Sequence, residues 1–159
     1  MGRTTKIVAE PGMPYIDMER SFDAPADFLH RAFTDPDLVV RWLGPRRGRM
    51  VIDYWDPIGA WRYVHRDDDG TEYGFRGVFH GEPSTEGLVQ TFEFEGWPGH
   101  VSLDAIRFEE VDGTTTVHSH TVFQSVEDRD AMIASGMESG VNEGYERLDE
   151  LIAASPALP

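Results

Sequence analysis

VEDRDAMIASGMESGVNEGYERLDELIAA, residues 126–154, carries the strongest helical signal in the chain. Ile133, Met137, Val141, Tyr145, Leu148 and Ile152 recur three and four apart, which sets them on one face of an α-helix. Acidic residues crowd the opening turn, and Ser125 to Asp128 fits a capping box. The spacing predicts one long helix from Val126 to Ala154. Gly136, Gly140 and Gly144 lie four apart beside the apolar stripe, and each costs about 1 kcal/mol relative to alanine in a helix interior. Two readings explain them. The helix packs tightly on a sheet, or its small residues leave room for a ligand in a cavity beneath it.

Upstream, the chain reads as a sheet made to receive this helix. Tyr15–Phe22, Met50–Trp55, Ala60–Arg66, Glu72–Gly81, Leu88–Glu95, Val101–Val111 and Thr114–Gln124 are seven segments rich in β-branched or aromatic residues. Turn signals separate the last six, and Asp69-Gly70 and Asp112-Gly113 are strong hairpin markers. Short connections imply antiparallel neighbours. After the first strand, Asp23-Ala-Pro25 opens a short helix with Asp23 as its cap, and Pro36–Leu43 forms a second. Residues 1–14 read as a flexible arm broken by Pro11, Gly12 and Pro14, leaving 15–155 as one domain. The order is α+β, a meander backed on one face by the terminal helix.

The 159 residues carry a formal net charge of −15, which opposes binding to nucleic acid or anionic lipid. No stretch approaches the roughly 20 apolar residues of a spanning helix, so no membrane partner is expected. No cysteine is present and the N-terminus lacks an apolar signal segment, which favours a cytoplasmic protein.

The stretches RSFDAPADFLHRAFTDPDLVVRWLGP (20–45), WRYVHRDDDGTEYGFRGVF (61–79), TFEFEGWPGHVSLDAIRFEEVDGTTT (91–116) and FQSVEDRDAMIASGMESGVNEGYERLDELI (123–152) resemble the SRPBCC superfamily. Within it, they are most similar to the branch named for activators of the heat-shock protein 90 ATPase. The resemblance implies a helix-grip fold: a curved antiparallel sheet of about seven strands wrapped on a long C-terminal helix, with an apolar cavity between them. It implies no catalytic signature. Ile58-Gly59-Ala60 stands where members often carry a Gly-Gly turn, and Val141 where a tryptophan is common.

Aromatic residues alternate along the strands, and aromatic-lined pockets with a few polar groups are how small apolar molecules are held. The candidate ligand-binding residues are Trp42, Trp61, Tyr63, Phe75, Phe79, Phe92, Phe94, Trp97, His118, His120, Met137, Val141 and Tyr145. His118 and His120 share one side of a strand. They stand as polar residues on the outer face, as cavity-wall groups, or as two ligands of an incomplete metal site. Trp97 and His100 lie in the loop GWPGH, either a rigid turn or a cavity mouth. Arg62, Arg76 and Arg107 alternate away from the aromatic face, towards acidic cross-strand partners. The expectation is a protein that binds a small apolar or aromatic molecule, with neither cofactor nor metal. A cyclase or hydrolase using the same cavity, with His118, His120 or Tyr145 moving protons, is one alternative. A protein-interaction module of co-chaperone kind is the other, and a homodimer is compatible with each.

Overall fold

A computed structural model describes residues 3–155. Eight strands form one antiparallel sheet in the order β1-β2-β8-β7-β6-β5-β4-β3. In chain order these are β1 (Lys6–Val8), β2 (Tyr15–Phe22), β3 (Arg49–Trp55), β4 (Ala60–Arg66), β5 (Glu72–Val78), β6 (Gly87–Phe94), β7 (Val101–Val111) and β8 (Thr114–Val122). Helices α1 (Ala26–Thr34) and α2 (Pro36–Trp42) follow β2, and α3 (Val126–Ala134) and α4 (Met137–Ala153) follow β8. This is the expected α+β helix-grip fold.

Three features differ from expectation. The first is an eighth strand. Lys6–Val8, inside the predicted flexible arm, pairs with Asp17–Glu19 at the sheet edge; residues 1 and 2 of that arm lie outside the described residues. The second is a break in the terminal helix. Gly136 adopts φ +85°, a left-handed conformation that ends α3 and redirects the chain into α4. The third is the start of α1. Pro25, not Asp23, occupies the cap position, and the Glu110 carboxylate accepts the Ala26 N–H at 2.7 Å in place of a side-chain cap. Ser125 caps α3 as predicted, accepting the Asp128 N–H at 3.1 Å.

Each strand has two chemically distinct faces. Ile16, Arg20 and Phe22 of β2, Ser102 and Phe108 of β7, and Thr115, Val117 and Ser119 of β8 are buried, while their sequence neighbours point outward. A bulge between Ile52 and Tyr54 shifts the alternation of β3 by one residue. At the outer face Arg62 reaches Glu95 at 2.7 and 2.8 Å and Asp53 at 3.1 Å, and Arg76 reaches Glu93 at 2.8 Å. Arg107 lies 3.8 Å from Glu109, so all three arginines meet acidic partners, although Glu109 is on the same strand as Arg107 rather than across from it as expected.

The core forms where α1, α2 and the second half of α4 close on β2, β7 and β8. Phe22, Leu29, Ala32 and Leu148 are fully buried there. Indole donors fasten the helices: Trp42 Nε1 donates to the Ala32 carbonyl and Trp55 Nε1 to the Thr34 carbonyl, both at 2.8 Å. Gly144 meets α2 closely, since a Cβ there would stand 3.3 Å from the Trp42 carbonyl oxygen. Gly140, one turn earlier, has nothing within 4 Å. Tight packing therefore explains one glycine of the three. Among the described residues no helix is long and apolar enough to cross a membrane.

Candidate functional site

The aromatic residues of the inner face form one continuous row. Trp61 stacks on Tyr63 with centroids 5.5 Å apart, Tyr63 on Phe75 at 5.2 Å, and Phe75 touches Phe92 at 5.6 Å and Phe94 at 5.2 Å. Register makes the row, because Tyr63 pairs with Phe75 across β4 and β5, and Phe75 with Phe94 across β5 and β6. The row changes character along its length. Trp61, Tyr63 and Phe79 are buried in the core with Trp42 and Tyr145. Phe75, Phe92 and Phe94 are only half-buried. Gln90 and Asp104 on the same face are half-buried too, as are Met137 and Val141 on α4. The inner face is thus closed at one end and only partly covered at the other, where Phe75, Phe92 and Phe94 are half-buried.

Asp104 is the chemically distinctive group of the inner face, and the sequence reading passed over it. It shares the inner face of β7 with Ser102, Ile106 and Phe108. It pairs with Gln90 on β6 and with Thr121 on β8. Gln90 Nε2 donates to its carboxylate at 3.1 Å. Burial pushes the Asp104 carboxyl up, and hydrogen bonds from Gln90 and Thr121 act against that shift. Among the described residues no Lys, Arg or His forms an ion pair with it. Its influence reaches both core tyrosines. Burial first, and then the Asp104 charge, hold the Tyr63 hydroxyl well above its ordinary value. Burial also raises Tyr145, where a Ser119 hydrogen bond and the Arg20 charge oppose the rise. A signal was present in the sequence: period-two counting along Val101–Val111 puts Asp104 in phase with Ile106 and Phe108.

The other inner-face charge is neutralised. Arg20, 2% exposed, binds Asp149 of α4 with contacts of 2.7 and 2.5 Å. Tyr145 of α4 packs edge-on against Phe22 at 5.2 Å and stacks on Trp42 at 6.2 Å. It is a core residue there.

His118 and His120 lie on the opposite face of the sheet. His118 stands 3.0 Å from Glu109 and 3.3 Å from Glu19, and His120 2.6 Å from Asp17. These are exposed cross-strand partners, and among the described residues no three His, Cys, Asp or Glu gather as metal ligands. The two histidines instead line a shallow outer groove of about 820 Å³ with Lys6, Val89 and Arg107. Trp97, in the β6–β7 loop, lies flat on His100 with centroids 3.6 Å apart. His100 Nδ1 is 3.0 Å from both carboxylate oxygens of Asp128 in the first turn of α3. That loop is thereby tied to α3. Of the predicted residues, the structure brings Tyr63, Phe75, Phe92 and Phe94 together and leaves the histidines and Trp97 apart from them.

A family model described as "Activator of Hsp90 ATPase homolog 1-like protein" matches residues 23–153. The chain belongs to this family. The Hsp90-activator-like assignment covers every element from α1 through α4. Among solved structures, a Rhodobacter sphaeroides protein is similar at 27% identity and a TM-score of 0.85, over 94% of this chain and 98% of its own. An Arthrobacter aurescens protein is similar at 22% identity and 0.83, over 96% and 92%. An AHSA1 protein from Silicibacter pomeroyi is similar at 18% and 0.72, over 89% and 99%. No curated protein matches this Hsp90-activator-like chain.

Proposed function

We propose that the protein binds a small, largely apolar molecule in a cleft between the partly covered end of the sheet and the α3–α4 break. The observation that carries the reading is the half-buried row of Phe75, Phe92 and Phe94 on the same face as one half-buried polar pair, Gln90 and Asp104. Large apolar surface with few polar anchors is the composition of small-molecule sites. Cyclase or hydrolase chemistry has less support, because His118 and His120 face away from the cleft and Tyr145 is packed into the core.

Thermal-shift screening of an apolar library, followed by NMR of the compounds that stabilise the protein, tests the reading. Ligands are expected to perturb Phe75, Phe92, Phe94 and Gln90. Stabilising compounds that move only Val89, His118 and Arg107 would sink it.

A second reading has its own observation. Tyr15, Val122 and Leu103 adjoin across β2, β8 and β7 on the outer face, and Leu103 and Val122 are exposed. Such a row suits a protein contact, including a homodimer. Light scattering should then report a dimer that Leu103→Lys dissociates; a monomer at high concentration would count against the homodimer.

A further inference from the structure

The two edges of the sheet are built differently. β1 closes one edge with three residues, and a short strand that opens on a lysine offers little to another chain. β3 forms the other edge and is seven residues long. Among the described residues its backbone N–H and carbonyl groups find partners only on β4. On its inner side Met50 and Ile52 pack against the core and stay partly exposed. Val51 and Tyr54 are 39% and 46% exposed. A row of unpaired backbone groups among apolar side chains is a template for one more strand.

The residues of β3 select which strand that is. Arg49-Met50-Val51-Ile52-Asp53 is complementary to its own reverse about Val51. Laid antiparallel on a second copy, Val51 meets Val51, Met50 meets Ile52, and Arg49 meets Asp53 twice. Alternation puts Arg49, Val51 and Asp53 on the exposed outer face and Met50 and Ile52 on the inner one, so each pair joins side chains of one face. Directly opposed residues stand about 4.5–5.5 Å apart at Cβ, within reach of a salt bridge. A slip of two residues, the smallest that keeps the faces matched, sets Val51 against a charge and breaks the Arg49–Asp53 pairs.

Both charges are accessible. Arg47, Arg62 and Arg66 each have an acidic partner, whereas among the described residues Arg49 has none. Asp53 is the extra residue of the β3 bulge and has no partner on β4. Its side chain is 54% exposed and meets Arg62 at 3.1 Å. The twist of the bulge ends regular pairing just beyond it, which confines the contact to these five residues. The chain's acidic excess does not oppose them, because Arg46, Arg47, Arg49, Arg62 and Arg66 outnumber Asp53 and Asp56 in this part of the sequence.

We propose that β3 pairs antiparallel with β3 of a second copy, about a twofold axis through Val51, and so joins two eight-stranded sheets into one. The two Arg49–Asp53 pairs set the register. This edge lies four strands from β7, which carries Leu103, so the contact is distinct from the outer-face row and independent of the cleft reading.

Light scattering and sedimentation at physiological salt test it, with circular dichroism of every variant. The native protein should dimerise. Arg49→Asp and Asp53→Arg each set like charges opposite one another at both ends of the pairing, and each should weaken the dimer by about tenfold or more. An equal mixture of the two variants should dimerise again, since the acids of one chain then face the arginines of the other. Val51→Lys, at an exposed position, sets two ammonium groups together on the axis and should dissociate the dimer even if a charge variant does not fold. A native protein that stays monomeric at its highest soluble concentration would overturn the inference. So would a dimer that survives Val51→Lys, or one that only Leu103→Lys dissociates, since the contact would then lie elsewhere. Folded charge variants that remain monomeric when mixed would overturn it too.

Discussion

Asp104 and Arg20 show two fates of a charge on the inner face. Arg20 has a counter-ion; Asp104 has hydrogen bonds alone. The Asp104 pKa is raised on folding, so the folded state holds its proton at pH values where the unfolded chain has lost it. Stability from this group is complete below the ordinary carboxyl value and falls as pH rises through the raised one. Asp104→Asn is therefore expected to raise Tm at neutral pH by about 2–4 °C, on the scale of one kcal/mol for a domain this size. The gain should vanish below about pH 4, and calorimetry across that range checks it. A lower Tm at neutral pH would show that the carboxylate is stabilised by contacts beyond those described. Asp149→Ala has the opposite sign, since it strands a buried guanidinium. The loss should be about 2–3 kcal/mol in urea unfolding, less than for a fully buried pair because Asp149 is one-third exposed. Asp104 was legible in principle by its phase along β7. Arg20 was legible only as an inward residue, because its partner lies 129 positions away on another element.

At the level of elements, strands and hairpins were readable because each is specified locally. Asp112 and Gly113 both take positive φ, +52° and +80°, as a tight two-residue turn requires. The break between α3 and α4 was not readable from periodicity. Ile133 and Met137 are four apart in sequence, so the apolar pattern runs on unbroken, although the turn of the backbone leaves Ile133 exposed on α3. The clue lay in Gly136 itself, the commonest residue for ending a helix. Two of the three glycines then make opposite predictions under the same substitution. Gly136→Ala forces a Cβ into a left-handed conformation and should cost about 1–2 kcal/mol, although nothing stands in the way. Gly140→Ala sits in the helix with open space around it and should gain about 0.5–1 kcal/mol. Urea midpoints of the two variants test this. A gain at Gly136 would mean that α3 and α4 run on as one helix in solution. Strand β1 escaped reading for another reason: three residues are too few to display alternation, and only pairing with β2 defines them.

For the whole molecule, charge and topology set the behaviour. With fifteen excess negative charges, self-repulsion opposes compaction more than the exposed ion pairs offset it. Raising salt from about 0.01 to about 0.15 M shortens the screening length from about 30 to about 8 Å, so Tm should climb across that range. A falling Tm would mean that ion pairs such as Arg62 with Glu95 outweigh the repulsion. The fold class was legible because consecutive strands β3 to β8 read as a meander. The partial cover of the aromatic row was not, because Trp61 and Phe92 look alike in sequence and differ only in what covers them. Alternation says which way a ring points and nothing about whether a helix lies over it.

The pairing of β2 with β8 joins Tyr15 to Val122. A ribosome adding roughly 5–20 residues per second needs several seconds to make the hundred residues between them. For that interval β2, α1 and α2 have no sheet to join, while β3 to β7 can zip together hairpin by hairpin. The newborn chain thus holds Phe22, Phe28 and Leu29 in the open until β8 emerges. Nascent chains stalled before residue 114 should be cut by protease around those positions, and chains released with β8 and α4 complete should resist.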